Sequence, residues 1–244
     1  NGSLKDSGQT GYALAFTMDL FPETLREQAA ERFKAAIEKK SWHLATGFIG
    51  TPRLLPGLCA AGLFSIADQL LLTEDYPSWL YQVKLGATTM WERWDGWTPE
   101  KGFSDVGMNS FNHYAFGSVG DYLYRHVAGI TPLEPGYARV LIAPTLSIGL
   151  HYAEANYEST SGTIKSAWRT VLHFSNLSPR YKRYIFDITV PPNVVAEIRL
   201  PCPVEYRRDA VIRESGRELK QSPGVVVLDS SAITPAGSRF VRLR

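Results

Sequence analysis

The chain has 244 residues, 44% hydrophobic and 20% charged, a globular balance that excludes disorder and low complexity. Lys plus Arg is 26 and Asp plus Glu 24, a net charge of +2 that is too small to argue for nucleic acid or an anionic surface. The longest apolar run, Gly57 to Phe64, is eight residues, against the roughly 18 that a membrane-crossing helix needs. Neither a nucleic-acid partner nor a membrane partner is expected.

The chain opens Asn1-Gly-Ser-Leu-Lys, without an initiator Met or an apolar targeting segment, and so reads as an excised or processed piece. Thr10 to Met18 predicts a first helix, stopped by Leu-Phe-Pro at 20–22. In the next, Leu25, Ala29, Phe33, Ala36 and Ile37 recur at helical spacing, and Thr24 with Glu27 suits a capping box at its start. Pro52 to Ala61 and Phe64 to Leu72 predict two shorter helices separated around Gly62. From Tyr76 to Gly107 comes a connection rich in Trp, Gly, Pro and acids, and a connection that long in a compact domain is usually functional. A longer helix is predicted from near Asn109, with Phe111, Ala115, Val119, Tyr122, Leu123 and Val127 on one face. Short Gly- or Pro-marked turns between such helices make antiparallel hairpins.

After Thr131-Pro-Leu-Glu-Pro-Gly the period changes to two. Phe186, Ile188 and Val190 alternate with Ile185, Asp187 and Thr189. Beyond Pro191-Pro-Asn, Val194, Ala196, Ile198 and Leu200 alternate with Val195, Glu197 and Arg199, which predicts a hairpin with one buried face. Tyr157 and Ile164 flank a turn at Ser159-Thr-Ser-Gly, and Val225 to Leu228 and Phe240 to Leu243 supply further strands. Short strands at this spacing argue for an antiparallel sandwich. Cys59 and Cys202, far apart and without metal-ligand spacing, read as independent thiols. Asn1-Gly-Ser and Asn176-Leu-Ser fit a glycosylation pattern short enough to arise by chance.

Four of the six Trp fall between Trp79 and Trp97, a crowding that suits either core packing or a surface that stacks on sugar rings. Within it, Glu92 lies between Trp91 and Trp94, with a second carboxylate at Asp95. Glycoside hydrolysis needs paired carboxylates, one to protonate the leaving oxygen and one to act from the other face. The competing reading makes Glu92 a solvated acid paired with Arg93, and Asp95 a local partner or turn cap. His113, in Asn109-Ser-Phe-Asn-His-Tyr-Ala-Phe-Gly, falls at the predicted helix start, where the positive end of the helix favours neutral imidazole. Its competing role is packing among Phe111, Tyr114 and Phe116. His43, His126, His151 and His173 are scattered, so no metal site is expected. No phosphate-cradling Gly loop and no Gly-x-Ser-x-Gly elbow occurs.

The motifs Thr88-Thr-Met-Trp-Glu-Arg-Trp-Asp, Met108-Asn-Ser-Phe-Asn-His-Tyr-Ala-Phe-Gly and Gly120-Asp-Tyr-Leu-Tyr-Arg closely resemble the bacterial α-L-rhamnosidase family of glycoside hydrolases. Thr46-Gly-Phe-Ile-Gly-Thr-Pro, Tyr76-Pro-Ser-Trp-Leu-Tyr and Thr189-Val-Pro-Pro-Asn add to the resemblance, which covers nearly the whole chain. It implies a multi-domain α and β fold: part of a six-hairpin (α/α)6 barrel over 1–131, then a C-terminal antiparallel β-sandwich over 132–244. It further implies hydrolysis of terminal α-L-rhamnose from a glycoside or oligosaccharide with inversion, without a cofactor. Glu92 would be the general base, His113 would contact the bound sugar, and Trp91 and Trp94 would form the aromatic flank.

One departure follows from the same resemblance. The family's general acid belongs to an acidic motif upstream of the residues present, so the remainder of the barrel is an expected partner and the isolated chain is expected to be inactive. Two rival readings are a catalytically silent carbohydrate-binding or assembly module and another six-hairpin glycosidase.

Overall fold

A computed structural model describes residues 2–5, 8–146, 149–173 and 181–202, and the strands at 213–214, 217–218, 227–229 and 239–243. They form two compact units, one running to Tyr122 and including Gly149, the other from Leu123 onward.

The first unit is helical: α1 (Gln9–Thr17), α2 (Glu23–Glu38), α3 (Thr51–Ala60), α4 (Phe64–Leu72), α5 (Trp79–Lys84) and a single turn, α6 (Val119–Tyr122). Phe33 of α2 stacks on both Tyr12 and Phe16 of α1, and all three rings are buried. Helices α1 and α3 meet where Gly57 faces Ala13. A Cβ on Gly57 would lie 2.9 Å from the Ala13 Cα and carbonyl oxygen, so only glycine permits this approach. The predicted capping box does not form. Pro22, extended at φ −56° and ψ 143°, launches α2 at Glu23 without a side-chain cap, which leaves Thr24 inside the first turn.

Two corrections concern the stretch that carries the candidate residues. The connection from Tyr76 to Gly107 contains α5 and a small ribbon of β1 (Trp97–Thr98) and β2 (Gly102–Phe103). The long helix predicted from Asn109 is absent over 109–114, and the chain turns helical only in a 3-10 turn at Ala115–Ser118, ahead of α6. The reason is hydrogen bonding. The His113 N–H donates to the Met90 carbonyl and the Ser110 carbonyl accepts from the Glu92 N–H, each at 2.8 Å, so groups a helix would need are spent across the chain.

In the second unit a π-helical turn (Leu123–Val127) precedes β3 (Ile130–Pro132), β4 (Arg139–Ile142), β5 (Tyr152–Ser159), β6 (Gly162–His173), β7 (Tyr181–Thr189), β8 (Val195–Cys202), β9 (Arg213–Glu214), β10 (Arg217–Glu218), β11 (Val227–Asp229) and β12 (Arg239–Leu243). One sheet runs β11-β12-β8-β4-β3, another β5-β6-β7, and β9 pairs with β10. The β4–β8 pair is parallel, and the other pairs among the described residues are antiparallel. Both larger sheets feed one core, in which Ile130, Val140 and Ile142 meet Ile164, with Tyr157, Ile188, Ala196 and Ile198 around them. Trp168 on β6 is tied to the π-helical turn by an indole hydrogen bond of 2.8 Å to the Val127 carbonyl.

The hairpin at Ser159–Gly162 forms with Tyr157 opposite Ile164. The hairpin expected around Pro191-Pro-Asn does not. Strand β7 pairs with β6, whereas β8 pairs with β4 and β12. Two prolines without N–H groups and Asn193 at φ +66° carry the chain from one sheet to the other. Among the described residues no helix is long and apolar enough to cross a membrane. Asn1, Asn176 and Val225 lie outside the described residues.

Candidate active site

Residues 89–92 and 110–113 are laced together by hydrogen bonds. Besides the two backbone bonds above, the Thr89 hydroxyl donates to the Phe111 carbonyl, and the Ser110 N–H donates to the Glu92 side chain at 2.8 Å through Oε2. This lacing brings Glu92 and His113 together. Glu92 Oε1 stands 3.9 Å from His113 Nε2, and the two side chains are 15% and 22% exposed. That distance is too long for a direct hydrogen bond, yet one oxygen atom placed beside the gap reaches both groups.

Arg93 does not pair with Glu92. Its guanidinium binds Asp95, Nε to Oδ1 at 3.0 Å and NH2 to Oδ2 at 3.3 Å. The Asp95 carboxyl is thereby held below the usual carboxylate range, chiefly by the Arg93 hydrogen bond. A carboxyl held ionised in this way is unsuited to donating a proton. Asp105 accepts the Gly107 N–H at 2.7 Å and caps a 3-10 turn, Val106–Met108.

His113 is held on several sides. Its ring stacks on Phe48 (centroids 4.8 Å apart, planes 24°) and on Tyr114 (5.1 Å, 13°). Nδ1 accepts the Ala115 N–H at 3.2 Å. The Phe111 ring is not part of this packing and sets its edge against Trp91 and Phe103. Both flanking indoles are buried, Trp91 at 6% and Trp94 at 8% exposed. Trp94 stacks on Phe116 at 3.8 Å, meets Trp79 edge-on and borders a pocket of about 400 Å³ with His43, Thr46, Tyr76 and Pro77. Among the described residues no group of three His, Cys, Asp or Glu is placed to hold a metal.

Reasoning from sequence brings Glu92 and His113 forward but misses Phe48 and Ser110. Phe48 sits inside the Thr46-Gly-Phe-Ile-Gly-Thr-Pro motif, which was a pointer. Ser110 acts through its backbone, for which residue type carries no signal.

Residues 1–127 match the family model described as the bacterial alpha-L-rhamnosidase 6 hairpin glycosidase domain, and residues 129–214 match the bacterial alpha-L-rhamnosidase C-terminal domain. An alpha-L-rhamnosidase of Streptomyces avermitilis is 43% identical over 201 residues, which are 82% of this chain and 19% of that protein. One from Formosa agariphila is 38% identical over 82% of this chain and 21% of its own length. The chain thus spans about a fifth of the relatives it matches. Among solved structures, Streptomyces avermitilis alpha-L-rhamnosidase complexed with L-rhamnose matches with a TM-score of 0.77 and 36% identity, over 98% of this chain and 21% of that one. The Aspergillus terreus alpha-L-rhamnosidase matches with a TM-score of 0.73 and 34% identity, over 82% of this chain and 22% of that one.

Proposed function

The chain belongs to the bacterial α-L-rhamnosidase family, and from that premise we propose that it is the base-bearing portion of an enzyme that hydrolyses terminal α-L-rhamnosides with inversion. Residues 1–127, which match the six-hairpin model, contribute to the barrel, and residues 129–214 belong to the C-terminal β domain. Glu92 takes a proton from water as that water attacks the anomeric carbon. The bond to the leaving oxygen breaks on the opposite face, where a general acid from the rest of the barrel supplies a proton. In an inverting enzyme the two carboxyls stand roughly 6.5–9.5 Å apart, which leaves room for the water. His113 hydrogen-bonds the sugar or the water beside Glu92, and Trp91 and Trp94 form the aromatic wall behind them.

The observation that carries this reading is the Glu92–His113 pair, 21 residues apart in the chain and 3.9 Å apart in space, with Arg93 diverted to Asp95. The test is Glu92→Gln in the full-length enzyme, with an aryl α-L-rhamnoside as substrate. Gln keeps the shape and the Ser110 contact but cannot accept the proton, so turnover should fall by about 10²–10⁴-fold while rhamnose still binds. Added azide should restore part of the rate and yield the β-configured glycosyl azide. Turnover near the wild-type level would reassign Glu92 to structure.

A further inference from the structure

A histidine ring has two freedoms that matter to a reaction: the plane in which it lies, and which nitrogen carries the proton. Around His113 these are governed by different groups. Phe48 and Tyr114 each stack on the imidazole, and its plane lies within 24° of both rings. Stacking alone would still allow a half-turn of the ring, which exchanges the positions of nitrogen and carbon. The Ala115 N–H removes that freedom, because it needs an acceptor at Nδ1. A nitrogen that accepts a hydrogen bond carries no proton, so the neutral ring is the Nε2–H tautomer, and Nε2 is the atom facing Glu92 Oε1.

This stacking is itself supported. Phe48 packs on Phe116, 5.6 Å between centroids, and Phe116 is stacked on Trp94. The loop that carries Phe48 is pinned to the start of α3, where the Thr51 hydroxyl contacts the Gly47 carbonyl and the Thr46 hydroxyl, each at 2.9 Å. A Cβ on Gly50 would collide with Thr10 and Thr46.

We propose that Phe48 and Tyr114 are positioning residues that act through His113. They hold its imidazole in the plane where the Ala115 N–H selects the Nε2–H tautomer, so that this proton points into the gap beside Glu92. The proposal rests on the reading of Glu92 as the water-activating base. A water in the gap then donates to Oε1, accepts from Nε2–H and keeps a lone pair for the anomeric carbon. The ring pair supplies no chemistry of its own. It sets an orientation that the reaction would otherwise have to find.

The test is a double-mutant cycle in the full-length enzyme on an aryl α-L-rhamnoside. Phe48→Leu should lower kcat by about 10- to 100-fold with little change in KM, since the sugar still binds but the donor is misaligned. Phe48→Tyr, which keeps the ring, should restore most of the rate. In a His113→Ala background Phe48→Leu should cost nothing further, because the group it positions is gone. Tyr114, 87% exposed in this chain, gives a second variant. Tyr114→Leu should show a smaller loss that likewise vanishes without His113. If Phe48→Leu or Tyr114→Leu costs the same factor with and without His113, or if neither lowers kcat, the positioning role is wrong. Glu92→Gln measured alongside separates the two levels. Retained turnover there sinks the base assignment and the clamp with it, whereas an inactive Glu92→Gln with an additive cycle sinks the clamp alone.

Discussion

The guanidinium of Arg93 engages both oxygens of Asp95 and thereby removes from Glu92 the neighbour most able to neutralise it. Elsewhere in the helical unit a different buried pair carries a measurable consequence. The Cys59 thiol stands 3.8 Å from the Tyr122 hydroxyl. Burial is the main cause that pushes this thiol from 9.0 up to about 12, and burial raises the Tyr122 phenol as well. Between those limits the folded state holds a proton that the unfolded state has lost. The stabilisation is therefore complete below about pH 9 and drains away as the pH rises towards about 12. Urea unfolding of the chain from neutrality to about pH 11, followed by tryptophan fluorescence, should show a steeper alkaline loss for wild type than for Cys59→Ala. Equal slopes would show that the thiol does not titrate in this way. The thiol should also resist alkylation at neutral pH until the helical unit unfolds.

At the scale of elements, α1 to α4 could be read in advance because an apolar stripe at helical spacing and a Pro or Gly stop are local properties. Helix α5 could not: six residues give too few turns for a period to show. It is held instead by particular contacts. Ser78, fully buried, accepts the Tyr81 N–H at 3.0 Å on its hydroxyl, and the next residue, Trp79, donates its indole N–H to the Phe116 carbonyl at 2.9 Å. Ser78→Ala leaves that N–H without its cap and should cost about 0.5–2 kcal/mol, seen as a lower urea midpoint with an unchanged slope. No shift in midpoint would mean that the tryptophan alone holds the helix. The segment 109–114 illustrates the opposite error. Its apolar spacing looked helical, but its backbone groups bond to residues 90–92, and no local pattern reports a partner that remote.

For the whole molecule, the proposed reaction calls on more than this chain supplies. Asp95 is committed to Arg93 and one oxygen of Asp105 to the Gly107 N–H, and the proposed reaction takes its general acid from the rest of the barrel. A base without its acid forfeits about 10²–10⁴-fold in rate. The purified 244-residue chain should accordingly give no measurable release of aryl alcohol from an aryl α-L-rhamnoside, and robust turnover free of contaminating enzyme would refute that expectation. Family and fold class were already determined by the sequence, because long motifs such as Trp91-Glu-Arg-Trp and Phe111-Asn-His-Tyr, and the change of period beyond Thr131, are linear features. The alternation along 186–200 likewise picked out Ile188, Ala196 and Ile198, which pack against the core, but it missed that Glu197 of the opposite set is buried as well. Which strand lies beside which was settled only in three dimensions. Period two records the face of a strand and says nothing of its neighbour, so β7 and β8, adjacent in the chain, belong to different sheets. The same holds at the site. The sequence named Glu92 and His113 from their motifs, whereas the 3.9 Å between them and the ring of Phe48 stacked on the imidazole arise from contacts between segments up to 65 residues apart. Such contacts depend on how the loops close on one another, and no single stretch of chain encodes that.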